Sequence, residues 1–188
     1  SPSDSAPLRS ALAADAVLAP AWADAIDAAV LQARRTRYAG FPVDTGTVTA
    51  AALLGPFPLA MVSCNLYADP ATLATVAAAG VAAAGERRVA VVAVSGLSSG
   101  LIPRWISPAE DRIAEPEHDR WNRKILDALA AGDDVAPLRA EFARAAQADS
   151  QFRAHAFLAG SGAANGKAEV LAYGPVWGTG AAVVWWKG

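Results

Sequence analysis

Gly96-Leu97-Ser98-Ser99-Gly100 follows directly on an apolar run and matches the spacing G-x-S-x-G. In a serine hydrolase that spacing puts a serine on a sharp strand-to-helix turn. Its hydroxyl is exposed there, and the helix start offers backbone N–H groups to an oxyanion. His155, with Asp133, Asp134 or Asp149, completes the inventory of a triad downstream. Pro103 works against this reading, because it sits where the helix should form and removes a donor. The loop also has the N–H groups to cradle a phosphate, but it has no P-loop lysine and the same proline spoils the helix N-terminus. Small Gly/Ser loops after strands are common, so a plain connection competes with both chemistries.

Metal chemistry is limited by supply. The chain has two histidines, His118 and His155, and one cysteine, Cys64. A facial triad needs two histidines and a carboxylate converging with open positions, and nothing in the spacing makes these two converge. His118, in Glu115-Pro116-Glu117-His118-Asp119, is placed for a solvated or capping role just before a helix. His155 lies among Phe152, Phe157 and Leu158 and reads as core-adjacent. Cys64 sits in an apolar run as a buried, inert thiol, and one cysteine forms neither an intramolecular disulfide nor a cysteine-rich zinc site. Arg34, Arg35 and Arg37 read as a solvated helix end, where cations suit the dipole. Trp185 and Trp186, adjacent on a predicted strand, must point to opposite faces, one to a core and one to a partner.

The elements that would position these groups follow from pattern. Helices are predicted at residues 21–32, 48–54 (capped by Asp44-Thr45-Gly46-Thr47), 70–84, 119–130, 135–146 and 150–158. Residues 59–63 read as a short buried strand, and 89–94 as an apolar, β-branched strand covered on both faces. With the helix between them they make a right-handed parallel βαβ unit. Residues 168–173 and 181–186 close the chain as strand-like pieces among Gly-rich turns. The fold class expected is α/β: one domain over residues 1–188, with a central largely parallel sheet flanked by helices and a C-terminal β-hairpin-like segment.

Composition agrees with a folded chain: 188 residues, 54% hydrophobic, 18% charged, net charge −2. No basic field suits nucleic acid, no apolar stretch is long enough to span a membrane, and no signal peptide opens the chain. A cytoplasmic setting is inferred. The opening Ser1-Pro2-Ser3-Asp4-Ser5, without Met, suggests that upstream sequence is absent.

Several segments, in order and spacing, resemble the class III extradiol ring-cleavage dioxygenases, the protocatechuate 4,5-dioxygenase superfamily. The stretch Phe41-Pro42-Val43-Asp44-Thr45-Gly46-Thr47 is similar to a D-H-G segment ahead of a short helix. Phe57-Pro58-Leu59-Ala60-Met61-Val62-Ser63 resembles the proline-containing strand that follows, and Val94-Ser95-Gly96-Leu97-Ser98-Ser99 a strand ending in S-G-x-L-S-H. Residues 117–127, with Trp121-Asn122-Arg123-Lys124, and the closing Tyr173-Gly174-Pro175-Val176-Trp177-Gly178-Thr179-Gly180 resemble the α-subunit pattern of the aminophenol-cleaving members. The likeness runs from about Arg34 to Trp186.

In catalytic members, the resemblance implies Fe(II) on two N-terminal histidines and a C-terminal glutamate, with an acid/base histidine closing the loop. Here the D-H-G histidine position is Thr45 and the loop position is Ser99, and neither can act as an imidazole acid/base. The N-terminal strand region has no counterpart, and Glu169 is the nearest terminal carboxylate. The resemblance therefore implies an accessory subunit with no metal of its own and no catalytic residue. A homologous catalytic partner subunit would hold Fe(II) and open a catechol or 2-aminophenol ring. Thr45, Ser99, His118 and Tyr173 are the expected lining of a residual substrate pocket. Two alternatives stay open: a serine hydrolase using Ser98, and a stand-alone small-molecule binding protein using the relic cleft.

Overall fold

Asp15 ties together three distant parts of the chain. Its backbone N–H donates to the Leu59 carbonyl at 2.8 Å, and Leu59 N–H donates to the Ala13 carbonyl at 2.8 Å, a parallel bridge. Its carboxylate accepts the N–H groups of Val17 and Leu18 at 3.0 and 2.7 Å, capping the first helix. The Arg87 guanidinium meets the same carboxylate and holds it well below the usual carboxylate range.

The structure is a computed structural model describing residues 12–29, 31–36, 43–63 and 68–187, so the readings made for Arg37, Tyr38 to Pro42 and Cys64 lie outside the described residues. The helices are α1 (Leu18–Ala28), α2 (Thr45–Leu54), α3 (Pro70–Ala84), α4 (Pro116–Ala131), α5 (Arg139–Ala145) and α6 (Arg153–Gly160). Two strands, β1 (Glu169–Val176) and β2 (Thr179–Trp185), close the chain, and short 3₁₀ turns fill Pro108–Glu110, Ala136–Leu138 and Asp149–Phe152.

Helices α1, α3 and α6 form one layer. Helix α3 starts where Asp69 accepts the Thr72 N–H and Pro70 sets the first turn, and it stops at Gly85. Its small side chains are what allow close packing. A Cβ on Gly160 of α6 would lie 2.2 Å from the Ala74 Cα, and one on Gly80 would lie 2.5 Å from the Trp22 indole. Trp22 uses the space at Gly80 to donate its Nε1–H to the Val76 carbonyl at 2.7 Å.

The second layer sets α4 and α5 against the hairpin. Trp121, Ile125, Leu126 and Leu129 of α4 bury one stripe against Val135, Phe142, Phe152 and the inner face of β1 and β2. Helix α4 ends at Gly132 in the left-handed region (φ 83°). The hairpin turn is Trp177-Gly178, both at positive φ (54° and 88°), as a two-residue turn matched to strand twist requires. Trp186 packs on the core while Trp185 is exposed, the opposite-face arrangement read from the sequence.

The fold therefore mixes helices with an antiparallel C-terminal hairpin. The central parallel sheet is the point of difference. Among the described residues, 59–63 and 89–94 form no ladder, and the one parallel pairing is the isolated bridge Ala14–Leu59. Val89, Val92 and Val94, expected to be covered on both faces, are exposed. A β-branched run encodes burial and pairing, but it acquires both only where another strand lies beside it. Helix boundaries moved less. Asp44 accepts the Thr47 N–H at 2.8 Å, so α2 begins at Thr45 rather than at residue 48. The predicted helices 135–146 and 150–158 each begin as 3₁₀ turns.

Candidate functional site

The loop 97–100 is held by β2 on one side and α4 on the other. Leu97 N–H donates to the Gly180 carbonyl at 2.9 Å, and Gly180 N–H reaches the Ser98 carbonyl at 3.2 Å. Ser98 is fully buried. Its N–H donates to Asn122 Oδ1 at 3.1 Å, while its Oγ accepts from Asn122 Nδ2 at 2.9 Å and from Gly180 N–H at 3.1 Å. The approach is so close that a Cβ on Gly180 would lie 2.1 Å from Asn122 Nδ2.

This geometry overturns the serine-nucleophile reading. A nucleophile elbow exposes its hydroxyl beside a base. Here the hydroxyl is buried, accepts two hydrogen bonds from an amide and a backbone N–H, and has no histidine partner among its hydrogen bonds. No helix follows the loop either: residues 99–107 are irregular up to the Pro108–Glu110 turn.

From Asn122 the network continues to the hairpin. Asn122 Nδ2 donates to the Tyr173 hydroxyl at 3.3 Å, and that hydroxyl donates to Asp119 Oδ1 at 2.5 Å. Arg123 closes the group, with Nε donating to Asp119 Oδ2 at 2.9 Å and the guanidinium 5.1 Å from the Tyr173 ring centroid. Burial, followed by the hydrogen bond to Asp119, pushes the Tyr173 phenol up to about 12. Tyr173 and then Arg123 pull the Asp119 carboxyl below its ordinary value. A protonated phenol on an ionised carboxylate is a fixed polar bridge and offers no base near neutral pH.

His118 lies one turn before Asn122 on α4. It is buried, and its Nδ1 has no hydrogen-bond partner among the described residues. The ring packs against Gly100, where a Cβ would sit 2.8 Å from that nitrogen. His118 and Tyr173 thus belong to one neighbourhood around the first half of α4, next to the loop that carries Ser99, which is exposed. Thr45 stands apart. It is exposed at the start of α2, whose first turn packs Gly46 against Val94. The residue missed in the sequence is Asn122, the hub of the network. Its signal was an amide on the buried stripe of α4, one turn after His118.

The two histidines do not meet. His118 faces Gly100, whereas His155 is stacked on Phe152 with ring centroids 5.5 Å apart and lies near Trp186. Among the described residues no group of three His, Cys, Asp or Glu side chains is placed to hold a metal ion. The donor set therefore does not fit the two-histidine, one-carboxylate iron site that the resemblance implies for catalytic members.

No family model matches the chain. Over 179 residues it is 36% identical to the 2-aminophenol 1,6-dioxygenase alpha subunit of a Pseudomonas species. The match covers 90% of this chain. The chain is a homologue of a dioxygenase alpha subunit. It spans 66% of the length of that alpha subunit. Among the described residues, no helix is long and apolar enough to cross a membrane.

Proposed function

We propose that this chain is an accessory, iron-free subunit of an extradiol aromatic ring-opening dioxygenase of the catechol or 2-aminophenol type. It acts by packing against a homologous catalytic subunit that holds Fe(II), the aromatic substrate and dioxygen. The observation that carries this reading is the 36% identity to a protein named as a dioxygenase alpha subunit. The donor set described above supports it, since Thr45 and Ser99 stand where imidazoles would be needed.

Exposed apolar surface also supports a subunit role. The outer face of the hairpin presents Leu171, Val183 and Trp185, and Phe57, Met61, Val89, Val92 and Val94 are exposed elsewhere. Leu171, Val183 and Trp185 on one hairpin give apolar side chains that a partner subunit would cover. In this reading residues 59–63 and 89–94 belong to the superfamily's parallel sheet, and the chain is a single domain. The residues lining the relic cleft, Ser99, His118 and Tyr173, then shape the complex rather than perform chemistry, and the setting is cytoplasmic.

The test is metal content and anaerobically protected oxygen uptake with catechol and 2-aminophenol, on the chain purified alone and with co-purifying protein. No iron and no uptake alone, with both present in the complex, is the expected result. Stoichiometric iron and ring cleavage by the isolated chain would overturn the proposal.

A further inference from the structure

A cleft of about 270 Å³ lies where the first turn of α3, the Ala136–Leu138 turn, α5 and the start of α6 come together. Pro70, Ala136, Ala140 and Ala143 make its apolar wall, and Arg139, Gln151 and Arg153 complete it. No carboxylate lines it among the described residues.

Arg139 is the group that the fold leaves unanswered. It is half-buried, and its Nε is buried with no hydrogen-bond partner among the described residues. Arg35, Arg87, Arg120 and Arg123 each meet a carboxylate within 3.0 Å, and Arg139 has no such ion pair among the described residues. Burial lowers its pKa, against the more distant attraction of Asp134. A half-buried guanidinium without a contacting anion is unfavourable unless something supplies the negative charge. Its planar fork of five donors matches an oxyanion such as a carboxylate or phosphate bidentately. Arg153, the second cation of the cleft, has one donor engaged, from Nη2 to Gln151 Oε1 at 2.7 Å. Gln151 and its neighbours Ser150 and Phe152 are held at φ 54°, 47° and 54°. Left-handed non-glycine residues of this kind persist where the surroundings over-determine them, and they gather at ligand sites.

We propose that this cleft binds a small organic carboxylate, whose carboxylate is taken by Arg139 and Arg153 and whose apolar body rests on Pro70, Ala136, Ala140 and Ala143. The apolar wall distinguishes such a ligand from inorganic anions, which would gain nothing from it. The site is independent of the subunit reading and lies outside the Ser98–Asn122–Tyr173 network.

The test is calorimetric titration of the full chain with benzoate, benzamide and inorganic phosphate, repeated on Arg139→Gln and Arg153→Gln. Saturable benzoate binding at one per chain is expected, with benzamide and phosphate each at least about tenfold weaker. Each variant is expected to lose about tenfold in benzoate affinity. Circular dichroism checks that each variant is folded, and Arg139→Lys, which keeps charge but loses the fork, stands in if Arg139→Gln is not. No saturation by benzoate on the unaltered chain overturns the site. Equal binding of benzamide overturns the charge recognition, and equal binding of phosphate overturns the apolar recognition. Unchanged benzoate affinity in folded variants overturns the assignment to these arginines.

Discussion

The Tyr173 hydroxyl donates a 2.5 Å hydrogen bond to the Asp119 carboxylate, joining strand β1 to a helix that lies 54 residues earlier. Removing that hydroxyl by Tyr173→Phe leaves Asp119 one donor short and one of the two Asn122 amide hydrogens without its acceptor, the other staying on Ser98 Oγ. The expected loss is about 1–2 kcal/mol in denaturant unfolding. The pH dependence has a definite sign. The folded phenol is pushed up to about 12 from an ordinary 10.0, so between those values the unfolded chain has released a proton that the folded chain keeps. Stability contributed by Tyr173 is therefore present below pH 10 and falls as pH rises toward 12. Unfolding midpoints measured across that window should show a slope that Tyr173→Phe reduces.

Ser98 is expected to resist fluorophosphonate probes, because its hydroxyl is buried and already accepts two hydrogen bonds. Ser98→Ala should lower stability by about 1–2 kcal/mol without any loss of esterase activity attributable to this chain. Mass-spectrometric detection of a labelled Ser98 would contradict the buried geometry.

Gly180→Ala places a methyl 2.1 Å from the amide of Asn122, which is fully buried and has little room to move. Overpacking of this kind costs about 1–3 kcal/mol. Thermal unfolding should report a lower Tm than for Gly174→Ala, where a Cβ meets nothing within 4 Å.

His155 is buried on the Phe152 ring, and burial first, then the positive charge of Arg139, lower its pKa from 6.5. A histidine with a depressed folded pKa takes up its proton more readily in the unfolded chain. Stability should therefore decline as pH falls through about 6.5, and His155→Gln should flatten that decline. Urea midpoints at pH about 7.5 and about 5.5 make the comparison, above the range where most carboxylates titrate.

Ser99→His introduces one imidazole at an exposed loop position. The chain would still lack the second histidine and the carboxylate in convergence, so the variant purified alone should bind no stoichiometric iron and take up no oxygen with 2-aminophenol. Iron at one per chain in that variant would show that ligands for it already exist in the fold.

Much of this architecture was legible because the signals were local. Asp69-Pro70 and Gly85 bracket α3 as caps and stop signals do, and Trp185-Trp186 split between faces by the period of a strand. Residues 89–94 form no ladder among the described residues, because pairing is a property of two strands and the run by itself specifies only that it should be covered. The site was legible in part. His118 and Tyr173 fall in one neighbourhood, but Thr45 does not join it. The Ser98 role inverted, because G-x-S-x-G spacing is silent about the Asn122 amide that arrives from 24 residues away. Arg139 carried no motif at all, and its interest lies in what fails to touch it.

The tip of the hairpin reaches beyond its own strands. Asp111 accepts the N–H groups of Trp177 and Gly178 at 2.6 and 2.9 Å, Ile102 N–H donates to the Trp177 carbonyl, the Trp177 indole N–H donates to the Ile102 carbonyl, and Ala114 N–H donates to the Gly178 carbonyl. Residues 97–114 have little regular structure of their own, so their protected amides are those that lean on the hairpin. Their resistance to solvent is borrowed. In hydrogen exchange, the amides of Leu97, Ile102 and Ala114 should open at the same free energy as those of β1 and β2, as one cooperative unit. Loosening the Trp177-Gly178 turn would then release the loop beside Ser99 without touching a residue in it.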